Sequence, residues 1–109
     1  MTTLNDYQKL IEQFAFYPGA GTGNTAALTY CALGLTGESG EVAEKIKKFL
    51  RDGIFETALV AKELGDVLWY VARMSKELNL SLEEIALMNV AKLTDRKERD
   101  VLKGNGDAR

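Results

Sequence analysis

Apolar residues recur along this chain at intervals of three, four and seven, interrupted at Pro18-Gly19, Asp52-Gly53 and Asn79. That period is helical. Tyr7, Leu10, Ile11 and Phe14 predict a short amphipathic helix over about 4–15, capped by Thr3 or Asn5 and stopped by Tyr17-Pro18-Gly19. Segment 19–25 has three glycines and no large apolar residue, so it reads as a loop. Leu28, Cys31, Leu35, Val42, Ile46, Phe49 and Leu50 then mark a buried stripe on a long helix over about 26–51, ended by Asp52-Gly53. Leu59, Val60, Leu64, Val67, Leu68, Val71, Met74 and Leu78 predict a third helix over about 56–79, the main core element. Ser81-Leu82-Glu83-Glu84 is a capping box, from which a fourth helix runs through Ile85, Val90 and Leu93 to about Lys97. The tail 99–109 carries Gly104 and Gly106 with few apolar residues and is expected to be mobile.

Composition narrows the class. At 109 residues the chain is one domain's worth, 1–109, which excludes a two-domain enzyme. Apolar residues at 46% and charged residues at 28% exclude a disordered chain and a membrane protein. A single proline in a sequence rich in Ala, Leu, Glu and Lys reads as all-α. Fourteen Lys and Arg against sixteen Asp and Glu leave a net charge of −2, which argues against coating a nucleic acid polymer. The one cysteine, Cys31, makes no intrachain disulfide, and no basic-then-apolar leader opens the sequence, so a cytoplasmic location is expected. Long helices with wide apolar faces in so short a chain lead us to expect a homo-oligomer, dimer or tetramer.

Histidine is absent. Ser-His-Asp and Cys-His catalysis, imidazole zinc sites and Glu-x-x-His di-iron pairs therefore have nothing to build on, and acid, base and metal chemistry falls to carboxylates. Glu38, Glu41 and Glu44 follow one another at i, i+3 on the second helix, and Glu63 and Asp66 repeat the step on the third. Like charges so placed repel, and two such clusters on consecutive antiparallel helices ask for a cation between them. Mg²⁺ suits the donor set, because it takes oxygen ligands and shares them with substrate phosphates. Glu63 shares a helix face with Val67, so part of the acidic set lies against apolar packing and needs a partner. Gly34, Gly37 and Gly40 form a stripe that lets a ligand or another backbone come close. The competing interpretation is that these acids are ordinary solvated helix surface.

The remaining polar residues divide similarly. Lys45 and Lys47 fit pairing with Glu41, Glu44 and the helix dipole, an explanation that covers Lys48 and Arg51 less well. Asn89, Lys92 and Arg96 line one face of the fourth helix. Lys103-Gly104-Asn105-Gly106-Asp107 combines a cation with a glycine turn of the kind that wraps phosphate, although a frayed tail has the same composition. The loop 19–25 has neither the third glycine of a dinucleotide fingerprint nor a P-loop lysine, and reads as a hinge or lid edge. Tyr17, Tyr30, Trp69 and Tyr70 could stack on a base, but packing is the simpler role.

Gly34-Leu-Thr-Gly-Glu-Ser-Gly-Glu-Val-Ala-Glu-Lys-Ile-Lys-Lys, followed by Glu63-Leu-Gly-Asp-Val-Leu-Trp-Tyr, resembles the Glu-x-x-Glu and Glu-x-x-Asp pattern of MazG-like nucleotide pyrophosphohydrolases. The resemblance continues through Asn89-Val-Ala-Lys-Leu-Thr-Asp-Arg and Leu102-Lys-Gly-Asn-Gly-Asp, and so covers most of the chain. It implies an all-α, four-helix-type bundle completed by oligomerisation. The implied activity splits a nucleoside triphosphate between the α and β phosphates, giving monophosphate and pyrophosphate in nucleotide-pool control or housecleaning. Carried onto this sequence, Glu38, Glu41, Glu63 and Asp66 would hold Mg²⁺, with Mn²⁺ able to substitute. Lys48, Arg51, Asn89, Lys92, Arg96, Lys103 and Asp107 would bind substrate, with the tail from about 98 closing over it. Some relatives contact the base through a histidine, which this chain lacks, so base choice does not carry over.

Without histidine, Glu38, or failing that Glu41, is the expected base for the attacking water. Two rivals stand beside this reading: a pyrophosphatase specific for dUTP or dCTP, and a non-catalytic helical interaction module.

Overall fold

The computed structural model describes residues 1–99. Thr3 caps the first helix: its hydroxyl accepts the Asp6 amide at 3.0 Å while the Asp6 carboxylate accepts the Thr3 amide at 3.2 Å. That helix, α1, spans Leu4–Leu10 and tightens into a 3-10 turn over Ile11–Phe14 in place of the last turn of α-helix expected there. Such tightening is common where a helix end must satisfy its last carbonyls.

Asn24 opens α2, Thr25–Asp52, by accepting the Ala27 amide at 2.9 Å. Gly53 closes it in the left-handed conformation (φ 76°), its amide donating to the Phe49 carbonyl at 2.7 Å. After the loop 53–56 comes α3, Thr57–Glu77, which runs back antiparallel along α2. Phe49 and Phe55 meet edge to face at 5.2 Å at the closed end of this hairpin. Further along it Gly34 makes room for a ring, since a Cβ there would overlap Tyr70. Asn79 (φ 60°) turns the chain, and α4, Leu82–Glu98, starts at the expected capping box, with Ser81 and Glu84 exchanging hydrogen bonds of 2.9 and 3.0 Å. The described residues are thus all-α, with no strand among them.

Gln8 joins α1 to the α3–α4 corner. Its side-chain amide donates to the carbonyls of Ala72 (3.3 Å) and Leu80 (3.1 Å), and its oxygen accepts the Leu82 amide at 3.0 Å. Asn5 accepts the Glu83 amide at 3.1 Å. Together with the capping box, these bonds satisfy all four amides at 81–84.

The core is small and comes in two parts. Ile11, Ala72 and Leu82 form one cluster; Tyr17, Ala27 and Cys31 form the other, and Trp69 packs against both. The stripes expected to be buried are covered only in part. On α2 Cys31 is buried, Leu28, Leu35, Val42 and Phe49 are half-buried, and Ile46 and Leu50 are exposed. On α3 Leu64, Leu68 and Leu78 are exposed, and on α4 Leu87, Met88, Val90 and Leu93 are exposed. The radius of gyration is 16.3 Å, where a compact chain of about 100 residues has about 13 Å. The amphipathic faces are present, but the elements among the described residues do not cover them. No helix among the described residues is long and apolar enough to cross a membrane.

Candidate functional site

The antiparallel α2–α3 pairing brings the two acidic motifs face to face. Glu38, Glu63 and Asp66 each offer a carboxylate oxygen, and these oxygens lie within 4.8 Å of one another. Glu38 and Glu63 are half-buried and Asp66 is exposed. Glu41 is exposed and stands outside this tight group, although its charge still bears on Glu38. Burial, then the charges of Asp66, Glu63 and Glu41, then a hydrogen bond with Glu63, push the Glu38 carboxyl above its usual range. Among the described residues no Lys or Arg forms an ion pair with any of the four. Hard oxygen donors, converging and uncompensated, make a donor set that fits a small divalent cation.

Beside the acids lies a cavity of about 360 Å³ lined by Phe14, Glu38, Asp66, Trp69 and Tyr70. Its aromatic wall extends inward. Trp69 meets Tyr70 at 5.0 Å and Tyr17 at 6.2 Å, both edge to face, and Tyr17 stacks on Tyr30 at 5.2 Å. The tyrosines and tryptophan therefore pack together, as their helical spacing suggests, while two of them also face the acidic groove. A cavity lined by both aromatic rings and carboxylates can take a flat heterocycle with a charged, cation-bridged chain.

The basic residues are more scattered. Lys48 and Lys45 line a second cavity of about 230 Å³ with Ile54, Glu56, Leu59 and Val60, toward the α2–α3 turn. Arg51 pairs with Asp52 at 2.7 Å, and Lys47 with Glu44 at 3.1 Å. Asn89 and Lys92 are exposed on α4, which packs on α1 and α3, and Arg96 is buried. None of these three lines the aromatic cavity. Lys103 and Asp107, with the expected closing tail, lie outside the described residues.

Composition and spacing missed a polar cluster behind the aromatic wall. Glu77 is buried and accepts hydrogen bonds from the Tyr17 hydroxyl, the Gly21 amide (2.7 Å) and the Gly23 amide (2.8 Å). Arg73, also buried, donates from Nε to the Tyr17 oxygen at 3.0 Å and places Nη2 3.6 Å from Glu77. At i, i+4 on α3 these two residues read as a surface pair. The usable signal was the loop itself, whose Gly19, Gly21 and Gly23 all take positive φ and turn amides inward, where they need an acceptor.

The chain is 42% identical over 109 residues to "Gene 37 protein" of Mycobacterium phage L5, an alignment covering 94% of this chain and 96% of that protein. No solved structure matches it. The sequence model of the MazG nucleotide pyrophosphohydrolase domain matches residues 27–100, which takes in both acidic motifs and all of α3 and α4, and the chain accordingly belongs to that family.

Proposed function

We propose that this protein is a Mg²⁺-dependent nucleoside triphosphate pyrophosphohydrolase, converting a (d)NTP and water to (d)NMP and pyrophosphate in nucleotide-pool control. The observation that carries the reading is the convergence of Glu38, Glu63 and Asp66, with no ion pair to a described Lys or Arg, at the edge of an aromatic cavity. Glu38, Glu41, Glu63 and Asp66 are the proposed ligands. Bound there, Mg²⁺ supplies charge neutralisation for the triphosphate and makes water more acidic.

The chain's own residues do the rest. Phe14, Trp69 and Tyr70 hold the base by ring contact, and the acidic groove sets where the phosphates lie. Glu38 takes the proton from the water that attacks the α phosphorus. Glu41 is the alternative base. Lys48 lies further along the same hairpin, a place consistent with a hold on departing pyrophosphate. Arg51, Asn89, Lys92, Arg96, Lys103 and Asp107 complete the proposed substrate-binding set, α4 and the tail acting with or across a second subunit.

The exposed apolar residues of α2, α3 and α4 support homo-oligomerisation, and a dimer or tetramer is the assembly we propose. Activity on a panel of dNTPs and NTPs, with Mg²⁺ and with EDTA, tests the function. Metal-dependent release of pyrophosphate supports it. Turnover of one base alone would favour the dUTP- or dCTP-specific variant, and none would leave an interaction module.

A further inference from the structure

The glycine-rich loop builds an anion cradle, and the chain fills it with its own carboxylate. The Gly21 amide donates to one oxygen of Glu77 and the Gly23 amide to the other. A Cβ on Gly23 would come within 2.8 Å of the Glu77 carbonyl, so the loop and the end of α3 are in direct backbone contact. Glu77 and Arg73 expose none and 1% of their side chains, and Arg73 Nη1 has no hydrogen-bond partner, its nearest acid being Glu12 at 3.9 Å. Well-packed apolar residues commonly match or exceed the stability such a buried ion pair provides, so stability alone does not account for it.

Its connections suggest another role. The Tyr17 hydroxyl sits between the two charges, accepting from Arg73 and donating to Glu77. The Tyr17 ring lies edge-on to Trp69, whose own ring lines the aromatic cavity. Phe14, another lining residue, is three positions earlier on the same segment. One anchored phenol therefore fixes the segment carrying one wall and touches the ring forming the other. A phenylalanine could fill the space but would have no hydrogen bonds to set the ring's height and rotation.

We infer that Tyr17, held between Arg73 and Glu77, positions the aromatic walls of the cavity and thereby sets nucleotide affinity. Tyr17 and Glu77 are positioning residues outside the chemical step. The kinetic part of this inference rests on the hydrolase reading; the structural part does not.

Trp69 is the sole tryptophan, so its fluorescence reports this wall alone. In full-length Tyr17→Phe we expect wild-type helical circular dichroism and a KM for the preferred dNTP raised about tenfold, the effect of a shift near 1.4 kcal/mol, with kcat within about twofold. Trp69 emission should shift, and its quenching by acrylamide should rise. Glu77→Gln, which keeps the phenol but removes its acceptor charge, should give the same Trp69 change. An unchanged KM and emission in Tyr17→Phe would overturn the inference. So would a fall in kcat at constant KM, or a variant that does not fold, since the phenol would then be catalytic or simply a strut. If the wild-type protein hydrolyses no nucleotide, the hydrolase reading fails, and the Trp69 signal in the two variants still decides the positioning role.

Discussion

Glu38 on α2 and Asp66 on α3 present carboxylate oxygens within 4.8 Å of each other, and no described Lys or Arg forms an ion pair with either. In the metal-free protein this is a repulsive contact, and after burial it adds to what holds the Glu38 proton more tightly than usual. Glu38→Gln removes one charge from that contact. We expect it to leave the metal-free fold intact or up to about 0.5 kcal/mol more stable, to lose the thermal shift that Mg²⁺ gives the wild type, and to abolish turnover. Thermal melts with Mg²⁺ and with EDTA, beside a pyrophosphate-release assay, check all three. A Glu38→Gln variant with full activity would remove Glu38 from the mechanism.

Glu77 behaves in the opposite sense. Burial alone would raise its carboxyl, but the Tyr17 hydroxyl, the Gly21 and Gly23 amides and Arg73 outweigh burial and hold it below the usual carboxylate range. A carboxyl whose folded-state pKa is depressed stabilises the fold above its unfolded pKa, and that stability fades as pH falls through the folded value. Glu77→Gln should cost about 3–5 kcal/mol at neutral pH, because it leaves Arg73 buried without its partner. The gap between wild type and variant should narrow as pH falls below about 4.3, the ordinary glutamate pKa. Urea unfolding of both proteins between neutral and acid pH measures this, and a gap that stays constant across the range would contradict it.

Two glycines of one stripe should respond oppositely to alanine. At Gly34 a Cβ would overlap the Tyr70 ring, whereas at Gly37 nothing lies within 4 Å. Gly37→Ala should stabilise by about 1 kcal/mol through helix propensity. Gly34→Ala gains the same but must displace Tyr70, an overpacking cost of about 1–3 kcal/mol, so it should be the less stable of the pair. Melting temperatures decide it. Equal stability would mean that Tyr70 does not pack on α2 as described.

Leu64 on α3 and Leu87 on α4 are 54% and 61% exposed, in a chain whose own core holds few large side chains. If another subunit covers these faces, Leu64→Glu or Leu87→Glu should shift the protein toward monomer in sedimentation and lower its melting temperature. A wild-type protein that sediments as a monomer at tens of micromolar would contradict the proposed assembly.

Local signals with a fixed chemistry were readable from the sequence. Ser81 and Glu84 form the expected box, Gly53 takes the left-handed position that ends α2, and Asn79 turns the chain out of α3. The acid motifs were readable because their spacing and an antiparallel hairpin jointly require them to meet. What was lost depended on distant partners. Gln8, Arg73 and Glu77 look like ordinary exposed helix residues, and each is buried because groups far along the chain supply its hydrogen bonds: corner backbone for Gln8, loop amides for Glu77, and the Tyr17 hydroxyl for both Arg73 and Glu77. The 3-10 turn at Ile11–Phe14 was likewise invisible, since the apolar spacing there suits either helix type. The expected burial of the α2 and α3 stripes presumed a larger core than the described residues form.

In the function proposed above, the facing carboxylates of α2 and α3 serve phosphoanhydride hydrolysis. That role is tested most directly by pyrophosphate release from the four dNTPs, the four NTPs and dUTP, in Mg²⁺ and in EDTA. At least one of them should yield equimolar pyrophosphate and monophosphate, lost in EDTA and lost in Glu38→Gln. A folded protein that leaves every nucleotide intact at high concentration, with no thermal shift on adding Mg²⁺ and nucleotide together, would contradict it.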